Sequence, residues 1–131
     1  ASRTVCGTPR SSIVEIAAAR ATDEDLARLD ANVDASERLT RARDMDAKAA
    51  LNMDFHNLLA DCTHNPVLAM MMRTLMDVLR SVHRPVTAED TEGIIQSRRR
   101  FLAHLRARDA DAAKAEMTDH LTRLHALFGG D

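Results

Sequence analysis

Three polar residues stand where the helical pattern of this chain calls for apolar ones: His56 in LNMDFHNLLADC, Arg98 in GIIQSRRRFLAHL and His120 in AAKAEMTDHLTRLHALF. Buried polar groups need partners, so side chains of this kind inside apolar stripes mark places where a ligand can complete the set. Around Arg98, the residues Ile94, Ile95, Phe101, Leu102 and Leu105 fall on one helix face, and Arg98 lies one turn from both Ile94 and Leu102. His120 shares a stripe with Ala113, Met117, Leu121, Leu124 and Phe128. Asn52 and His56 form an i, i+4 pair that borders the stripe of Leu51, Phe55, Leu59 and Cys62. Three helices therefore aim polar groups toward one interior. A buried guanidinium is costly without a counter-charge, and an anion meeting it bidentately supplies one; imidazoles and an amide beside it can donate further hydrogen bonds. The competing reading places Arg98 in the Arg98-Arg99-Arg100 run, snorkelling from the stripe edge to solvent.

The elements that must position these groups are helices almost throughout. Gly and Pro are few and sit at punctuation points: Gly7, Pro9, Pro66, Pro85, Gly129 and Gly130. RSSIVEIAAAR reads as a first helix, and Thr22 offers an N-cap to DEDLARLDANVDAS, whose leading acids suit the positive end of the helix dipole. A third helix is expected from about Leu39 to Cys62, and Pro66 is placed for the first turn of a fourth, VLAMMMRTLMDVLRSV. The fifth runs from about Ala88 to Arg108. Asp109 and Asp111 mark a break before the sixth, which stops at Gly129-Gly130. The expected fold is all-α, an antiparallel bundle of about six helices filling residues 9–131, with 1–8 as a linker or truncated interdomain segment.

Composition narrows the function. A chain of 131 residues fits one domain, and its core needs no staple. The net charge of −2 comes from interspersed acids and bases, and the aromatic content of 2% includes no Trp or Tyr, so direct reading of a nucleic acid by these residues is disfavoured. Cys6 and Cys62 lack metal or disulfide spacing, which with the absence of a signal peptide points to a reduced, cytoplasmic setting. No apolar run is long enough to span a bilayer.

The segments ARATDEDLARLDA, NMDFHNLLADCTHNPVL and RRRFLAHLRARDADAAKAEMTDHL together resemble the ligand-binding C-terminal domain of GntR-type transcription regulators of the FadR subgroup, the FCD domain. The resemblance rests on Asn52, Phe55 and His56 in the long helix and on Asp109 and His120 near the end. It implies a helical bundle in which Asp or Asn and three His hold a divalent metal, such as zinc or nickel, that binds a small organic acid. It also implies a homodimer and an N-terminal winged helix-turn-helix module that reads DNA, a module absent from this chain. The third imidazole is expected 22 positions before His120, where this chain has Arg98. Arg is not a normal metal ligand, which leaves Asn52, His56 and His120 as a weak set and favours direct capture of an anionic carboxylate by Arg98. The alternatives are a metal-binding bundle using Asn52, His56 and His120, and a purely structural dimerisation bundle.

Other residues carry plainer readings. Met70, Met71, Met72 and Met76 are core filler or a helix interface; that helix, or the first with its Ala17-Ala18-Ala19 face, is the candidate dimer surface. Asn65 is expected in a turn or cap. His64, His83, His104 and His125 are assigned to exposed surface, and Asp44, Asp46 and Lys48 to a solvated face. No GxSxG, HExxH, P-loop, dinucleotide or paired Glu-x-x-His motif is present, and Cys62 and His64, two residues apart, would not face each other, so an enzyme is not expected.

Overall fold

The computed structural model describes residues 9–81 and 88–117, with side chains over 13–81 and 93–117. Helices α1 (Pro9–Arg20), α2 (Asp23–Arg41), α3 (Met45–Asp61), α4 (Pro66–Ser81) and α5 (Ala88–Arg106) precede the opening turns of a sixth, α6, described over 110–117. No strand occurs among the described residues, and none of their helices is long and apolar enough to cross a membrane. The all-α expectation holds. The linker expected over 1–8, the stop at Gly129-Gly130, and His83, His120 and His125 lie outside the described residues.

α3 forms the spine: it packs against α2, α4 and α1, while α5 lies across α2 and α1. Phe55, Leu59 and Ala60 from α3 meet Leu29 and Val33 from α2, Phe101, Leu102 and Leu105 from α5, and Val14 and Ala17 from α1 in one continuous core. Met72 and Met76 add the inner face of α4. Ala17 and Ala18 are buried in this core, which removes the first helix's Ala face as a dimer surface.

Two helix boundaries differ from expectation. The break between α2 and α3 falls at Ala42–Asp44 rather than between Ser36 and Leu39, and α5 ends at Arg106 rather than Arg108. Both ends are Schellman turns built on a non-glycine residue in the left-handed region: Arg43 (φ 59°) and Arg108 (φ 60°). The Asp44 N–H reaches back to Leu39 O at 3.0 Å and the Asp109 N–H to His104 O at 2.9 Å. Each aspartate then caps the following helix, accepting from Ala47 N at 3.1 Å and from Ala112 N at 3.0 Å. Asp44 is thus a cap rather than part of a merely solvated face. Asn65 caps α4 as expected, its side-chain oxygen accepting from Val67 N at 2.9 Å.

Two polar anchors join distant parts of the chain. At the start of α2, Thr22 and Asp25 form a reciprocal capping box (3.0 and 2.9 Å), and Asp25 also meets His64 Nε2 at 2.7 Å in the α3–α4 turn. Arg20 donates to Thr63 O in the same turn at 3.2 Å. Near the other end, Arg108 donates to Ala18 O at 3.1 Å and Lys114 pairs with Glu15 at 3.3 Å, tying the α5–α6 turn and α6 to α1. Burial works to raise the Asp25 pKa, but hydrogen bonds from the Thr22 backbone and His64 outweigh it and hold the carboxyl below its ordinary 3.8. A carboxyl depressed by folding stabilises above its unfolded pKa and loses that contribution as pH falls through the folded value. Asp25→Asn is expected to cost about 1–2 kcal/mol in urea unfolding at pH 7, and the gap to the parent should shrink as pH drops below 3.8.

Candidate ligand site

Arg98 is held inward by its stripe. Ile94, Ile95, Phe101, Leu102 and Leu105 are all buried on the same face of α5, and Arg98 itself is only 7% exposed, so it does not snorkel. Its run-mates turn outward: Arg99 pairs with Asp34 and Glu37 on α2, and Arg100 grips Glu116 on α6 through two bonds of 3.0 and 3.1 Å. The Arg98 guanidinium instead donates to Asn52 Oδ1 at 2.9 Å and stacks 4.3 Å over the Phe55 ring. It has no carboxylate partner among the described residues. Burial pulls its pKa down to about 10, which leaves it charged at neutral pH.

The structure therefore brings Asn52, His56 and Arg98 together across the α3–α5 contact. The His56 ring stands edge-on to Phe55, with centroids 5.9 Å apart, and is half-buried. Phe55 and His56 from α3, Ser97, Arg98 and Phe101 from α5, and Glu116 and Met117 from α6 line a small cavity of about 10 Å³. That is room for about one water molecule. Ser97 donates to Glu116 at 2.8 Å, so the acid on the α6 wall is engaged by Ser97 and Arg100 together. Neither Ser97 nor Glu116 was singled out by sequence pattern, although Ser97 precedes Arg98 and Glu116 sits four residues before His120.

Lys48 overturns its assignment to a solvated face. It is 1% exposed, its Nζ has no hydrogen-bond partner among the described residues, and it lies one turn before Asn52 on α3. Lys48, Asn52 and His56 follow at i, i+4 and i+8, a spacing that could have revealed it. Burial, and then the nearby Arg98 charge, push its pKa down to about 8. Cys62 is the opposite case: its thiol donates to Leu58 O at 3.3 Å, and burial with the Asp25 and Asp61 charges pushes its pKa up to about 12. His64 points at Asp25, so the two form no nucleophile–base pair.

Comparison with known proteins places this geometry in a family. A model of the FCD domain matches residues 11–123. The chain is an FCD domain. Its structure is similar to E. coli McbR/YncC, with a TM-score of 0.76 and 18% sequence identity over 91% of this chain and 61% of that one. The FCD domain described here thus spans less than two thirds of that protein's length. No curated protein matches.

The metal that resemblance to FCD domains implies does not fit these residues. Arg98 stands in place of an imidazole ligand, and it already takes the Asn52 oxygen that would face the ion. A cation there would also meet the guanidinium charge.

The buried lysine makes a stability test. Its pKa falls from 10.5 unfolded to about 8 folded, so the folded chain binds fewer protons in that window and stability rises with pH across it. At pH 7 the charged amine costs about 3 kcal/mol. Lys48→Met is expected to be more stable than the parent by about 2–3 kcal/mol at pH 7, and by under about 1 kcal/mol at pH 10, in urea titrations. A gap independent of pH would contradict the assignment.

Proposed function

We propose that this FCD domain is the effector-sensing and dimerisation part of a GntR-type regulator of the FadR subgroup. It binds a small organic acid in the bundle interior, in the cytoplasm, and DNA is bound by a winged helix-turn-helix module outside this chain. The observation that carries the reading is Arg98, a buried cation offered one amide oxygen and one aromatic face where a counter-charge is needed. A carboxylate can replace the Asn52 contact bidentately, with Asn52 and His56 beside it to bond the rest of the ligand and His120 as the expected fourth contact. A cavity of about 10 Å³ is far smaller than an organic acid, so binding must part α3 from the helices packed around it. Such a displacement gives the ligand two arrangements to discriminate between, which regulation requires.

The test is thermal unfolding of the chain, purified with and without chelator, against a panel of carboxylates, sugar acids and acyl phosphates. One anion class at a hundredfold excess over Kd is expected to raise Tm by roughly 10 °C, and Arg98→Ala to abolish the shift. A panel with no response would favour a purely structural bundle. One stoichiometric metal ion in protein purified without chelator would overturn the direct role of Arg98.

The homodimer is supported by α4. Val67, Met70, Met71, Leu75 and Val78 are between 41% and 64% exposed along one ridge, opposite the buried Met72 and Met76. The adjacent charges are paired at its edges, Arg73 with Asp61 and Asp77 with Arg80. A single self-complementary apolar patch suits a two-fold contact, in which the same ridge serves both copies. Leu75→Glu is expected to convert a dimer to a folded monomer in light scattering; an unchanged mass would place the contact elsewhere.

A further inference from the structure

Beyond Arg98, the interior holds a second cluster of polar atoms that lack partners. Lys48 Nζ on α3, and Asn32 Oδ1 and Ser36 Oγ on α2, are all buried without a hydrogen bond among the described residues. Asn32 Nδ2 donates to Leu51 O at 3.1 Å, so its amide faces α3 and leaves only the oxygen open. α2 and α3 run back from the tight turn at Arg43, which sets Ser36 at the level of Lys48 and Asn32 at the level of Leu51. The four polar side chains Ser36, Asn32, Lys48 and Asn52 thus line the α2–α3 seam that leads to Arg98. One orphaned buried polar atom is costly, and an ammonium is the most costly of the three. Apolar replacement of Lys48 would stabilise the fold, so an ammonium buried to 1% exposure calls for a partner that is negative and polar.

We infer that the effector is a small dianion, with one acidic group on Arg98 and the second on Lys48, and with Ser36 and Asn32 meeting its polar backbone. This rests on the reading of Arg98 as an anion receptor and adds a second, separate charge contact. Two cations and no described carboxylate between them favour two negative groups over one. Lys48 lies one turn before Asn52 on α3, and Asn52 takes the Arg98 hydrogen bond, so the two cations stand on neighbouring levels of the interior, as a short-chain diacid requires.

The experiment titrates the chain by calorimetry at pH 7 with the straight dicarboxylates from malonate to adipate and with their monomethyl esters. One diacid is expected to bind at least about tenfold more tightly than its monoester, the scale of one charge-assisted contact. Lys48→Met, which should fold more stably than the parent, is expected to bring that ratio close to one while monoester binding persists. Arg98→Ala should remove binding of both. Equal binding of diacid and monoester, or a preference that survives Lys48→Met, overturns the role of Lys48 while leaving Arg98 intact. Binding of neither compound by the parent chain overturns the anion site as a whole.

Discussion

The structure is organised around a guanidinium withdrawn from water. Moving Arg98 into the core carries a penalty of several kcal/mol that only specific neighbours offset, and those neighbours dictate how α3 and α5 must meet. Phe55 has to present its ring face, Asn52 its oxygen, and the flanking Ile94, Leu102 and Leu105 have to close around the stem. A rotation of either helix by one residue would break all of these at once. Lys48 compounds the constraint, because its charge and that of Arg98 repel within the same low-dielectric interior. The bundle therefore holds a positive potential at its centre, although the whole chain carries a net charge of −2.

Stability to carry that load comes from elsewhere. The aliphatic and aromatic residues of the core supply most of it, and the helix ends supply specificity of direction. Caps at Thr22, Asp44, Asn65 and Asp109 begin α2, α3, α4 and α6, and left-handed residues at Arg43, His64 and Arg108 turn the chain before three of them. The exposed ion pairs, such as Arg41 with Glu37 or Arg28 with Glu24, add little in water. Arg99, by contrast, bridges two acids on α2 and so fixes the outer edge of α5 while its neighbour Arg98 fills the inner one.

Much of this arrangement is legible in the amino-acid sequence. The apolar spacing around Arg98 placed it in the core, and the i, i+4 pair of Asn52 and His56 set the opposite wall. Other features left no local trace. The break at Arg43 has no Gly or Pro to announce it, since an arginine occupies the left-handed position that glycine usually signals. His64 is at the surface as expected, but its bond to Asp25 left no local trace because that capping residue lies far away in sequence. Lys48 was misread because its neighbours Asp44 and Asp46 make a charged run, and the run hid a helical phase shared with Asn52. A lysine within an acidic segment looks solvated unless the phase of every polar residue is followed, not only that of the apolar ones.

The two bonds that join the last helix to the first have a mechanical meaning. Arg108 holds the turn before α6 to the Ala18 carbonyl, and Lys114 holds α6 itself to Glu15. Two fasteners, one at the pivot and one along the arm, prevent α6 from swinging alone: whatever pushes it away from α3 pulls α1 in the same stroke. A wedge driven between α6 and α3 would therefore shift α1 and α6 as one unit rather than loosening α6 by itself.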